Sequence, residues 1–169
     1  MKMEVKRITS EPILLAGKSF YGDPFSTKRG WDIDNEIGRT WQRFFEYYHK
    51  HPERPYSKGE YNFYEVHIYS EETEETGVFE VFIGEASKTA EIPFELSSKY
   101  LPQTEYIEVT LHGDEITSDW WTQVKNKDLK EMGYEPSHSY LIQCADERFK
   151  GMDKLNESTL VAMVPIKKV

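Results

Sequence analysis

The sequence predicts an α+β domain in which a β-α-β-β unit occurs twice. Short segments rich in valine, isoleucine, tyrosine and phenylalanine alternate apolar with polar residues, the pattern of half-buried strands. Two longer segments instead carry apolar or aromatic residues at helical spacing or follow a helix-capping residue. The order of these segments is the same in both halves: Trp41 and Trp121 lie 80 residues apart, and Glu65 and Gln143 lie 78 apart.

Residues 4–20 read as the first strand, bulged at Pro12, and residues 21–33 as a loop rich in Gly, Pro, Asp and Ser. A helix is expected from Asn35 to His51. Trp41, Phe44, Phe45 and Tyr48 fall on one stripe, Asp34 or Asn35 caps the start, and Pro52 and Pro55 close the end. Residues 63–69 and 78–83 alternate and form a hairpin around an acidic turn, and residues 85–103, with Pro93 and Pro102, read as irregular. The second half repeats the order: a strand at 105–111, a helix from Thr117 or Ser118 to about Glu131, then strands at 139–145 and 159–166. The two units would span about 3–86 and 103–168 of a single domain covering 1–169. Two such units would make one antiparallel sheet, or two half-sheets, with the two main helices on one face and a ligand groove between the halves on the other.

The chain has 169 residues, 38% hydrophobic and 30% charged, enough to bury a core and too apolar for disorder. Four tryptophans, eleven tyrosines and nine phenylalanines exceed what a core of this size needs, so some are expected to line a cavity. A formal charge of −9, with no basic cluster clear of acids, argues against direct nucleic-acid binding. Cys144 is the single cysteine, so no internal disulfide forms, and a reducing, cytoplasmic setting is expected. The N-terminus has no apolar signal region and no apolar run is long enough to span a membrane.

Alternation then assigns faces. Val66 and Ile68 are expected to pack on the helices, with Glu65, His67 and Tyr69 toward the groove. Glu80 and Phe82 face the groove while Phe79, Val81 and Ile83 pack. Tyr106, Glu108 and Thr110 face out, as do Gln143 and Ala145, while Ile142 and Cys144 pack. In the last strand Val161 and Met163 oppose Leu160, Ala162, Val164 and Ile166. Trp120 and Trp121 point about 100° apart on a helix, so one of them can reach the cavity. The candidate ligand-binding residues are therefore Glu65, Glu80, Phe82, Tyr106, Trp120, Trp121, Gln143 and Met163. Rings beside carboxylates suit flat, apolar, cationic molecules, through stacking, cation–π attraction and a counter-charge.

Three stretches carry a resemblance: Trp41-Gln42-Arg43-Phe44-Phe45, Tyr64-Glu65-Val66-His67-Ile68-Tyr69, and Val78-Phe79-Glu80-Val81-Phe82-Ile83-Gly84. With Asp146-Glu147-Arg148-Phe149 and the terminal Met163-Val164-Pro165-Ile166-Lys167-Lys168, they resemble a GyrI-like domain over nearly the whole chain. The resemblance implies the duplicated β-α-β-β fold and an effector-binding role, as in multidrug-sensing transcription regulators. With no residues spare for a helix-turn-helix, a stand-alone member is expected. The family pattern Glu-x-Tyr-Asp-Glu-Arg-Phe appears here as Gln143-Cys144-Ala145-Asp146-Glu147-Arg148-Phe149. Gln143 thus replaces the family's central glutamate, and Ala145 its tyrosine. Gln hydrogen-bonds but cannot balance a cation or act as a base, so Glu65, its counterpart in the first half, or Glu80 would carry the charge.

The expected function is small-molecule sensing or sequestration. The alternatives are a hydrolase of electrophilic, cyclopropanoid-type toxins, with Glu65 or Glu80 activating water, and a protein-interaction module of the gyrase-inhibitor type. No catalytic set is assigned. Asp32-Ile33-Asp34-Asn35-Glu36 lacks the glycine and distal glutamate of a calcium loop, the histidines have no metal spacing, and no cofactor is expected.

Overall fold

Nine strands pair antiparallel into one sheet in the computed structural model, which describes residues 3–169. In chain order they are β1 (Glu4–Ser10), β2 (Ile13–Gly22), β3 (Phe63–Ile68), β4 (Phe79–Ala86), β5 (Ser97–Leu101), β6 (Thr104–His112), β7 (Tyr134–Pro136), β8 (Tyr140–Ala145) and β9 (Thr159–Lys168). Across the sheet the order is β1-β6-β9-β8-β3-β4-β2-β5, and β7 pairs with the far end of β9. The duplication is visible in that order. In the first half the strands run β2-β4-β3 and in the second β6-β9-β8, and the halves meet where β3 pairs with β8. At this seam Glu65 stands directly opposite Gln143.

Helix α1 (Glu36–Lys50) starts where Asn35 caps it, its side chain accepting from the Gly38 amide at 3.0 Å. Glu36 in the first turn and His49 and Lys50 in the last complement the helix dipole. A short helix, α2 (Thr73–Thr76), sits in the acidic β3–β4 turn. The second main helix begins as α3 (Trp120–Gln123), widens into a π-helical turn over Val124–Asp128, and resumes as α4 (Leu129–Met132).

Both main helices lie on one face. Residues paired across strands share a face, and the row Ile83–Glu65–Gln143–Ala162 runs through β4, β3, β8 and β9. At one end of the row α1 packs on Phe63, Phe79, Val81 and Ile83 through Phe44, with Trp41, Phe45 and Tyr48 against the same cluster. At the other end the second main helix packs Trp120, Val124 and Leu129 on Ile107, Val109, Leu160 and Ala162. Trp41 and Trp121 are therefore on the same side of the sheet, as the repeat requires.

The opposite face is not a groove. It holds a second core in which Leu15, Val66, Phe82, Tyr106, Ile142 and Met163 are buried, with Ile8 and Ile13 packed against them. These residues come from the two ends of the strand order as well as its middle. In a flat sheet β1 and β2 would be six strand spacings, about 29 Å, apart, yet only Glu11 and Pro12 separate them, which limits the gap between their ends to about 11 Å. The β5–β6 link, Pro102–Gln103, imposes the same closure. The sheet curls, and its concave side fills with apolar side chains.

Two sequence expectations change accordingly. The first strand is two strands broken at Glu11-Pro12, since proline has no amide to continue a ladder; β1 pairs with β6 and β2 with β4 and β5. The irregular stretch contains the edge strand β5.

Candidate functional site

On the helix-bearing face, between α1 and the β8–β9 loop, lies a cavity of about 560 Å³. Its floor is the seam: Phe63, Glu65 and His67 from β3, and Gln143 and Ala145 from β8. One wall is α1, with Ile37, Trp41 and Phe45; the other is the β8–β9 loop, with Asp146, Phe149 and Met152. The β2–α1 loop completes the rim with Phe25, Trp31 and Asp32, and Trp31 meets Phe149 across it, ring centroids 6.3 Å apart. Gly38 lets that loop cross the first turn of α1, because a Cβ there would lie 2.5 Å from the Asp32 carbonyl oxygen.

The cavity exists because β3 and β8 lie between the two helices and neither covers them. Seven aromatic rings line it, from Phe25, Trp31, Trp41, Phe45, Tyr61, Phe63 and Phe149. Glu65 is the one lining carboxylate buried at the floor, 5% exposed. Its Oε1 accepts from the Trp41 indole Nε1 at 2.6 Å, and its Oε2 lies 2.7 Å from Nε2 of His67. Nδ1 of His67 in turn lies 3.4 Å from the Tyr69 hydroxyl. Burial, with the Glu65 charge as the smaller cause, pushes the Tyr69 phenol well above its usual range, so Tyr69 stays a neutral donor. Among the described residues no lysine or arginine pairs with Glu65. The rim acids differ: Asp32 is held by Lys28 at 3.0 Å and Asp146 by Arg148 at 2.8 Å. The hydrogen bonds from Arg148 hold the Asp146 carboxyl below the usual carboxylate range.

Of the residues singled out from sequence, the structure brings Glu65 and Gln143 together at the floor. The other six lie outside the cavity. Phe82, Tyr106 and Met163 are buried in the core of the opposite face, the Tyr106 hydroxyl bonded to that of Tyr140 at 2.8 Å. Glu80 pairs with Lys99 at 2.5 Å on β5. Trp120 is buried in the α3–α4 core and Trp121 packs against its edge. The expected face assignment is reversed in β3 and β8: Val66, Ile142 and Cys144 point to the second core, and Glu65, His67, Gln143 and Ala145 point to the helix side. Cys144 is inert there, burial raising its thiol pKa to about 12.

The residues that sequence reasoning missed were nonetheless marked. Trp41 and Phe45 belong to the α1 stripe, His67 alternates with Glu65, and Phe149 ends the Asp-Glu-Arg-Phe motif. Trp31 had no signal beyond being an aromatic residue in a loop. Among the described residues no group of His, Cys, Asp and Glu is placed to hold a metal, and no helix is long and apolar enough to cross a membrane.

A duplicated α+β domain with an aromatic cavity centred on the seam of its repeats is an effector-binding domain. The chain belongs to the Cass2 family of integron-associated effector binding proteins, whose profile matches residues 8–161. Comparison with curated protein sequences finds no match. Among solved structures, SAV2435 bound to tetraphenylphosphonium superposes with a TM-score of 0.67 at 11% identity, over 99% of this chain and 94% of that one. The EcmrR C-terminal domain gives 0.66 at 11%, over 100% of both chains. An integron cassette protein from the mobile metagenome of Vibrio cholerae gives 0.59 at 13%, over 96% and 95%. Identities this low establish a shared fold.

Proposed function

We propose that this chain binds amphipathic aromatic cations in the cavity between α1 and the β8–β9 loop, and so senses or sequesters them. The observation that carries the reading is Glu65: a buried carboxylate paired with no lysine or arginine among the described residues, at the floor of a cavity walled by aromatic rings. A buried carboxylate without a lysine or arginine partner favours a cationic guest, and the rings add stacking and cation–π attraction. The cavity volume suits a drug-sized molecule. SAV2435, of the same fold, was solved with tetraphenylphosphonium, an aromatic cation.

The test is a titration with a panel of aromatic cations and neutral ligands of matched shape. Trp31 and Trp41 line the cavity, so binding is expected to quench tryptophan fluorescence. Glu65→Gln keeps an acceptor for Trp41 and presents an amide N–H to a His67 nitrogen. The fold is therefore expected to persist while cation affinity falls roughly tenfold to a hundredfold, the range for losing one charge-assisted contact. Neutral ligands should bind the variant as well as the parent. Equal losses for cations and neutral ligands, or no binding below about 1 mM (roughly 4 kcal/mol), would overturn the reading.

A further inference from the structure

We infer that Gln143 selects, among aromatic cations, those that carry N–H donors at the cationic centre. The inference rests on the cation reading of the cavity and concerns the residue facing Glu65. In the β3–β8 register Gln143 stands opposite Glu65, and both line the floor. Opposed cross-strand residues have Cβ atoms about 4.5–5.5 Å apart, so a single guest nitrogen can reach both side chains.

The two side chains differ in what they still need. Glu65 is held by Trp41 and His67, one on each oxygen. Each carboxylate oxygen accepts about twice, so one position on each remains for a guest. The Gln143 amide makes no hydrogen bond to any described residue, whereas Glu65, His67 and Cys144 on the same two strands each have a side-chain partner. Its carbonyl therefore accepts from, and its NH₂ donates to, whatever fills the cavity. Ala145, two residues along β8 on the same face, is too small to cover it.

A protonated amine, amidine or amino-substituted dye satisfies both groups: one N–H to Glu65 and a second to the Gln143 carbonyl. A cation without N–H donors balances the Glu65 charge but strips water from an amide that it cannot bond. An unmet buried amide is costly, whereas a met one is nearly neutral. A glutamate at this position would attract any cation by charge. The amide responds to hydrogen-bonding capacity instead, and so turns a charge-selective floor into a donor-selective one.

Pararosaniline and crystal violet provide the test, being the same triarylmethyl cation with amino or dimethylamino groups. Equilibrium dialysis of the full chain against each gives the affinity ratio. The parent protein is expected to prefer pararosaniline by about tenfold, equivalent to about 1.4 kcal/mol. Gln143→Met keeps the length of the side chain and removes its polarity, so the ratio should fall to no more than about twofold, with crystal violet bound at least as tightly as before. The size difference between the dyes is common to both proteins and cancels in the comparison. Gln143→Ala repeats the measurement should circular dichroism show the methionine variant unfolded. A ratio unchanged by substitution, or a parent that binds crystal violet as tightly as pararosaniline, would overturn the role of Gln143 while leaving the cation reading in place. Binding of neither dye to the parent would overturn both.

Discussion

Gly17→Ala is expected to lower stability by at least about 3 kcal/mol, the upper range for overpacking a core. For a chain of this length that corresponds to a fall of roughly 6–12 °C in melting temperature. Gly17 on β2 pairs with Gly84 on β4, and here the strands approach so closely that neither position has room for a side chain. A Cβ on Gly17 would sit 1.9 Å from the Ile83 carbonyl oxygen and 2.6 Å from the Gly84 Cα. Both obstacles are backbone, so no rotamer relieves the clash; β2 has to separate from β4. Because β2 also carries β5 and contributes Leu15 to the second core, the separation opens the closure of the sheet. Gly84→Ala meets the Ala16 carbonyl oxygen at 2.4 Å and should behave alike. Thermal unfolding followed by circular dichroism measures both. A loss under about 1 kcal/mol for Gly17→Ala would mean that the close approach of these strands is not a constraint.

Arg54→Ala is expected to cost about 3–5 kcal/mol, as for other buried ion pairs that lose one partner. Arg54 and Glu85 have side chains only 10% and 4% exposed and meet at 2.8 Å. The guanidinium also lies 3.8 Å from the centre of the Tyr48 ring and donates to the His51 carbonyl at 2.9 Å. Ser57 donates its hydroxyl to the same carboxylate. These contacts fasten the segment after α1 to β4, and with it the end of the helix that forms one wall of the cavity. Removing the arginine leaves the buried Glu85 carboxylate with Ser57 as its remaining partner. The companion variant Arg54→Met with Glu85→Gln removes both charges, and should recover more than half of the loss. Urea unfolding of Arg54→Met and Glu85→Gln, singly and together, gives the coupling energy. Equal stability of Arg54→Ala and the parent would show that the pair is solvated in solution.

The same contacts tie stability to the proposed activity. Glu65 is desolvated in the free protein, so Glu65→Gln should not weaken the fold as Arg54→Ala does. The two carboxylates are both buried, yet Glu85 faces a guanidinium, and Glu65 faces an indole N–H, an imidazole and open cavity. Burial alone does not separate a structural acid from a binding one; the identity of the partner does.

The sequence by itself determined the α+β class, the duplication and the α1 stripe; it also singled out Glu65 and Gln143, but on the face opposite the helices. Each of these depends on local periodicity or on a residue type whose chemistry does not change with context. The apolar sets within each strand were also legible: Phe79, Val81 and Ile83 fall together, as do Ile107, Val109 and Leu111. What periodicity cannot say is which of two buried faces a set belongs to. Alternation marks an apolar face on the assumption that the other face is wet, and this sheet curls until both faces are covered. Val66 and Ile142 therefore pack away from the helices, and Phe82, Tyr106 and Met163, read as groove residues, are core. The curl arises from two-residue links at Glu11-Pro12 and Pro102-Gln103 between strands far apart in the sheet, and strand order is a long-range property. The uncovered stretch between α1 and α3 likewise depends on where the helices land. Only the tertiary structure decided that β3 and β8 lie bare beneath that gap, so that Trp41, His67, Phe149 and Trp31, distant along the chain, enclose the Glu65 carboxylate and the Gln143 amide.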